Sequence, residues 1–159
     1  MDELVIEMAQ EHPDDTGFTS IAVGATCLYA IYDPATRRCA MASAGHPPPA
    51  IISPDGTVAF ADVPPGPPIG VGMMEYESVE MELAEGSVIA LYTDGLIETR
   101  GRDIDEGLDR LRGALAEPAP ALDELCAAVV EAMVATAPSE DDVTLLLARP
   151  HATKRDAGP

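Results

Sequence analysis

Residues 87–92 read SVIALY, a wholly apolar run that leads into the polar sequence Thr93-Asp94-Gly95. A strand without polar alternation is typical of the centre of a sheet. Leu-Ile-Glu follows Gly95, so the chain does not return as the second strand of a tight hairpin. Two interpretations of Asp94 are therefore open. It either bonds its own backbone in an ordinary turn, or it is held at a strand end to bind a metal ion.

Strand patterns and turn residues fill the chain ahead of this run. Residues 76–83 alternate apolar side chains with glutamates and then turn at Ala84-Glu85-Gly86, which predicts a hairpin with the 87–93 strand. HPPP at 46–49 breaks one strand because proline donates no hydrogen bond to a ladder. The Pro/Gly-rich residues 62–72 predict an extended loop. Other predicted strands cover 19–32, 38–45, 50–53 and 57–61.

Helical periodicity dominates the second half of the chain. Apolar residues recur at helical spacing over 105–116 and 121–135, and an apolar strand is predicted at 141–149. A shorter helical stripe covers residues 4–9. Strands first, then helices and a closing strand indicate an α+β fold with a mostly antiparallel sheet.

The charge balance excludes several classes of partner. Among 159 residues, 9 are Lys or Arg and 28 are Asp or Glu, which gives a net charge of −19. Such a surface repels nucleic acid and anionic membranes, so neither is expected to bind. A phosphorylated substrate could approach only where a bound cation reverses the local field.

The cysteines and the N-terminus point to a reducing compartment. Cys27, Cys39 and Cys126 form no metal-binding or paired spacing, so we interpret them as small buried apolar residues. Acidic residues occupy the first positions, where a signal peptide would be basic and then apolar. We therefore expect a cytoplasmic protein.

A second pair of carboxylates precedes the last predicted strand. Asp141 and Asp142, in SEDDVTLLL, would point to opposite faces of a strand, so only one could enter a given cleft. Alone they indicate a solvated acidic cluster. Together with Asp94 they offer the hard oxygen ligands that Mg²⁺ or Mn²⁺ prefers. His46, in SAGHPPP, is more often structural than catalytic in such a setting.

The order of these motifs resembles a known family. The series consists of TCLYAIYDPATRRCAMASAGHPPP, PPGPPIGVG, LYTDGLIETR, DIDEGLDRL and DDVTLLLAR. It is similar, over residues 25–149, to the SpoIIE-like branch of the PPM (protein phosphatase 2C-type) serine phosphatases. The resemblance implies an α-β-β-α sandwich of two mostly antiparallel sheets. It also implies one partial phosphatase domain over residues 1–149, and we expect a disordered tail at 150–159.

The resemblance also implies a mechanism and a site. Family members bind two Mg²⁺ or Mn²⁺ ions and use a metal-activated water to hydrolyse phosphoserine or phosphothreonine. Motif matching assigns Asp94 and Asp141 as catalytic metal ligands, with Gly95, Asp142 and His46 in supporting positions. By analogy the substrate is a phosphorylated regulatory protein of the anti-anti-sigma type.

Two motifs of the family have no counterpart in this chain. GGDWYD-like and GDVxGHG-like stretches, which contribute to the family's metal site, are absent, so we expect an N-terminally incomplete domain. The alternative function is therefore a catalytically impaired, partner-binding remnant. An incomplete sandwich would also expose a sheet edge, through which the chain could self-associate or pair with another polypeptide.

Overall fold

The computed structural model describes residues 25–71, 75–98, 103–118, 121–135 and 141–151. The predicted helix at 4–9, the first part of the predicted strand at 19–32 and tail residues 152–159 lie outside these ranges. Within them the elements are β1 (Cys27–Asp33), β2 (Arg38–Ala44), β3 (Ala50–Ile52), β4 (Val58–Phe60), β5 (Pro65–Gly66), β6 (Ser78–Glu82), β7 (Val88–Tyr92), a 3₁₀ turn (Asp94–Leu96), α1 (Ile104–Leu115), α2 (Leu122–Val134) and β8 (Leu145–Ala148).

The strands form two sheets. In the first, β2 pairs antiparallel with β1 and with β6, and it adds a short parallel pairing to β5. The second sheet has the order β4-β3-β7-β8 and is antiparallel throughout. The predicted α+β class, with two mostly antiparallel sheets, is confirmed.

Two apolar layers hold these elements together. One lies between the sheets and is built on Met41 of β2 with Ile51 and Ile89 of the second sheet. The other packs the opposite face of the second sheet against both helices, through residues such as Leu111 and Val129. Because β7 contributes to both layers, its unbroken apolar sequence follows from burial on its two faces.

The predicted hairpin between residues 76–83 and 87–93 is wrong. The strand β6 pairs with β2 in the first sheet, whereas β7 pairs with β3 and β8 in the second. The turn at 84–86 therefore carries the chain from one sheet to the other. Alternation in a sequence reports which side chains are buried but does not identify the neighbouring strand.

Smaller differences concern two strand boundaries and the cysteines. The last strand begins at Leu145, so Asp141 and Asp142 lie in the loop before it. The Pro/Gly loop contains the two residues of β5. The cysteines are free, and burial raises the pKa of the Cys39 thiol, whereas Cys27 and Cys126 are only half-buried. In the described ranges, no helix has the length and apolarity needed to cross a membrane.

Helix α1 packs directly on the segment that follows β7. Its N-cap, Asp103, accepts a hydrogen bond from the backbone N–H of Asp105. A side chain at Gly107 would begin only 2.2 Å from the carbonyl oxygen of Ile97. The missing Cβ therefore lets the helix backbone lie against the 3₁₀ turn.

Truncation of a leucine in the helix-facing layer should show how much stability that layer supplies. Leu111 is 0% exposed, so Leu111→Ala should lower the free energy of unfolding by about 2–5 kcal/mol in urea titrations. The matched control is Leu146→Ala, where the side chain is 56% exposed and a loss below about 1 kcal/mol is expected. Equal losses for the two variants would contradict the described packing.

Candidate functional site

Three segments meet at one end of the second sheet, where its strands begin or finish. In the register, Ala50 at the start of β3 opposes Ala90, and Tyr92 at the end of β7 opposes Leu145 at the start of β8. The proline loop before β3, the turn after β7 and the acidic loop before β8 therefore lie at the same end of the sheet. Sequence reasoning placed its candidate carboxylates on the last two of these segments.

Asp94 opens the 3₁₀ turn and is half-buried. Its backbone carbonyl accepts hydrogen bonds from the N–H groups of Ile97 and Glu98, both at 2.8 Å. One carboxylate oxygen, Oδ1, accepts from the N–H of Gly95 at 2.9 Å. The side chain thus bonds its own backbone, as the turn interpretation expects. The other oxygen, Oδ2, has no hydrogen-bond partner among the described residues, so it is available to a ligand.

The acidic loop touches this turn through its backbone. The hydroxyl of Thr93 donates to the carbonyl of Asp142 at 2.8 Å. A Cβ placed on Gly95 would lie 2.7 Å from that same carbonyl oxygen and 3.0 Å from that of Asp141. Only glycine allows so close an approach. The structure therefore packs the Asp94 turn against the backbone of the Asp141–Asp142 loop, and both acidic loop residues are exposed.

His46 lies at the end of the first sheet. Its Nδ1 is 3.3 Å from the hydroxyl of Thr26. Its backbone carbonyl accepts from the hydroxyl of Ser43 at 2.9 Å, and its N–H donates back to the same hydroxyl at 3.2 Å. These contacts fix the loop after β2, as a structural histidine would. A supporting role for His46 in chemistry stays a prediction.

Tyr92 ties the proline loop to β7, and sequence reasoning did not single it out. Its hydroxyl donates to the carbonyl of Pro48 at 2.7 Å, and burial raises the pKa of the phenol. The signal for it is an aromatic hydroxyl at the end of an aliphatic strand, since a buried tyrosine needs a partner for its O–H group.

The carboxylate oxygens at this end of the sheet are of a kind that suits a hard divalent cation. Carboxylate oxygens are the ligands that Mg²⁺ and Mn²⁺ prefer. In the parts of the chain that the structure describes, however, no three His, Cys, Asp or Glu side chains converge closely enough to hold an ion. The structure thus brings the segments of Asp94, Asp141 and Asp142 to one end of the sheet, but the described residues do not form a complete metal site.

A known protein family matches nearly the whole chain. The family model described as Stage II sporulation protein E (SpoIIE) matches residues 1–151. The chain belongs to the SpoIIE family. The resemblance read from the motif series is confirmed, and the two-sheet architecture is that of the PP2C-type phosphatase domains.

Solved structures of this fold include regulatory phosphatase domains. The RsbU and RsbW domains of a Mycobacterium tuberculosis protein match with 27% identity and a TM-score of 0.76, covering 96% of this chain and 41% of that one. The phosphatase domain of the cell fate determinant SpoIIE from Bacillus subtilis, presoaked with Mn, matches with 16% identity, a TM-score of 0.64 and coverages of 96% and 74%.

A serine/threonine phosphatase from S. agalactiae has the same fold, with 16% identity, a TM-score of 0.62 and coverages of 92% of this chain and 64% of that one. The chain thus spans between about two fifths and three quarters of the length of these three structures.

The close approach at Gly95 leads to a stability prediction with a matched glycine control. Gly95→Ala should lower the free energy of unfolding by about 1–3 kcal/mol, because the new Cβ pushes against the acidic loop. Gly113, inside α1, has nothing within 4 Å of its added Cβ, so Gly113→Ala should raise it by about 0.5–1 kcal/mol. Urea titration measures both. A Gly95→Ala variant as stable as the unmodified chain would show that the two segments are not in contact.

Proposed function

We propose that this chain carries the metal-dependent protein serine/threonine phosphatase activity of its family. The observation that supports the proposal is the contact between the Asp94 turn and the Asp141–Asp142 loop at one end of the second sheet. Thr93 and Gly95 create that contact. This contact holds the two segments that carry the motif aspartates side by side, which supports a shared metal site in a SpoIIE-family chain.

The proposed cofactor is Mg²⁺ or Mn²⁺, held by Asp94 and Asp141, with Asp142 beside them. When bound, such ions lower the pKa of a coordinated water and neutralise charge on the phosphoryl group. The aspartates themselves would bind and orient the ions, and no protein nucleophile is required. A net charge of −19 repels a phosphorylated substrate in the absence of a divalent cation. Activity should therefore disappear on chelation.

The proposed substrate is phosphoserine on a regulatory protein of the anti-anti-sigma type. The match to a structure that joins RsbU and RsbW domains supports a regulatory setting. The acidic surface argues against nucleic acid and anionic membranes as partners. A cytoplasmic location is part of the same proposal.

A second candidate is a partner-binding domain without turnover. Two observations favour it. No group of three ligating side chains converges in the described residues. Tyr29 and Ile31, two residues apart on the same face of β1, also project from the first sheet with exposures of 65% and 55%. Such a domain would pair with another polypeptide or with a second copy of itself.

Phosphate release from a phosphoserine-containing protein in the presence of millimolar Mn²⁺ tests the first candidate. The unmodified chain should release phosphate, and Asp94→Asn or Asp141→Asn should reduce the rate by at least about 100-fold, because each removes a proposed metal ligand. Asp55→Asn, at an exposed aspartate in the turn between β3 and β4, at the opposite end of the sheet, should leave the rate unchanged.

A folded protein that releases no phosphate with either Mg²⁺ or Mn²⁺ would overturn the proposal that this chain is catalytic. Retention of full activity in Asp94→Asn would overturn the assignment of the site. In the first case, the partner-binding candidate predicts a concentration-dependent dimer in analytical ultracentrifugation or a stable complex with a partner polypeptide. Monomeric behaviour without such a complex would contradict it.

A further inference from the structure

The hydroxyl of Thr93 occupies an unusual place in the pairing of β7 with β8. Beyond the last ladder pair, Tyr92 and Leu145, the next opposed residues are Thr93 and Thr144. In an antiparallel hydrogen-bonded pair, each residue donates its N–H to the other's carbonyl. Here only half of that exchange takes place, since Thr93 N–H donates to the carbonyl of Thr144 at 3.1 Å.

The other half passes through the side chain. The carbonyl of Thr93 accepts instead from the N–H of Leu96 at 3.0 Å, which closes the 3₁₀ turn around Asp94. The N–H of Thr144 donates to the Thr93 hydroxyl at 2.9 Å. That hydroxyl in turn donates to the carbonyl of Asp142 at 2.8 Å. The side chain therefore replaces a backbone acceptor that the turn has taken away.

One threonine thus serves both halves of the candidate site. Its backbone starts the turn that presents Asp94, and its side chain holds the loop that carries Asp141 and Asp142. Because a hydroxyl both accepts and donates, it can bond an N–H and a carbonyl of that loop together. Valine has nearly the same shape but would leave both loop groups without this partner.

We propose that Thr93 is a positioning residue that sets the register between the Asp94 carboxylate and the Asp141–Asp142 loop. The proposal rests on the proposed function only in that these carboxylates bind a divalent cation. The positioning itself is a property of the hydrogen bonds and can be measured without metal.

Amide hydrogen exchange, followed by NMR, tests the positioning in the metal-free protein. In Thr93→Val the amide of Thr144 should exchange roughly tenfold faster or more, because it has lost its acceptor. In Thr93→Ser, which keeps the hydroxyl, the rate should stay within about twofold of the original. Thr144→Val is the matched control, because the hydroxyl of Thr144 makes no hydrogen bond within the described residues and its backbone N–H is retained.

Titration with Mn²⁺ tests whether positioning reaches the metal. Paramagnetic broadening should affect the amide signals of Gly95 and Asp142 with one shared midpoint in the unmodified chain and in Thr93→Ser. In Thr93→Val the shared midpoint should move to an about tenfold higher Mn²⁺ concentration, as expected for the loss of one well-placed carboxylate. Thr144→Val keeps both hydrogen bonds of the Thr93 hydroxyl to the loop and should leave the midpoint unchanged.

Two results would overturn the proposal. One is an exchange rate of the Thr144 amide that does not change in Thr93→Val. The other is a Mn²⁺ midpoint that stays unchanged in that variant. If Mn²⁺ broadens neither signal in the unmodified chain, the metal site of the proposed function fails, and the exchange rates still decide the role of Thr93. Thr93→Ala carries the same expectations if the valine variant does not melt cooperatively.

Discussion

The candidate site depends on where the hydrogen-bonded pairing of β7 with β8 ends. As long as the ladder continues, β7 is buried on both faces, and β8 adds Leu145 and Leu147 to the helix-facing layer. At Thr93 the backbone carbonyl leaves the ladder to begin a 3₁₀ turn, and a side-chain hydroxyl takes over its partner. The same step that ends the sheet therefore places Asp94 beside the loop of Asp141 and Asp142.

Electrostatics gives this arrangement its chemical meaning. The turn and the acidic loop bring Asp94, Asp141 and Asp142 to one end of the second sheet, in a protein that already carries a charge of −19. Negative charge is tolerated there where water or a cation screens it. The exposure of Asp141 and Asp142 provides the first, and a divalent ion would provide the second. The chain belongs to the SpoIIE family and places carboxylates, the ligands that Mg²⁺ and Mn²⁺ prefer, at this end of the sheet, whereas no three ligating side chains converge within the described residues.

Sequence patterns predicted the elements well and their partners poorly. Apolar periodicity located β7, α1 and α2 to within a few residues, because burial leaves a direct trace in side-chain type. The hairpin of β6 with β7 was wrong because strand pairing across sheets depends on distant residues that alternation does not encode. The motif series placed Asp94 and Asp141 as candidates. It could not reveal Thr93 as a link, since its role depends on a backbone carbonyl being occupied elsewhere.

Two glycines explain why the turn around Asp94 has a defined place at all. On one side, Gly95 lets the turn lie against the backbone of the acidic loop. On the other, Gly107 lets α1 lie against the carbonyl of Ile97, at the end of the same turn. The turn is therefore enclosed between a loop of the second sheet and a helix that belongs to the apolar layer beneath it. Because packed interiors yield little, a shift of α1 would be passed to the turn rather than absorbed. The position of Asp94 is consequently set by helix packing as much as by the strand that precedes it.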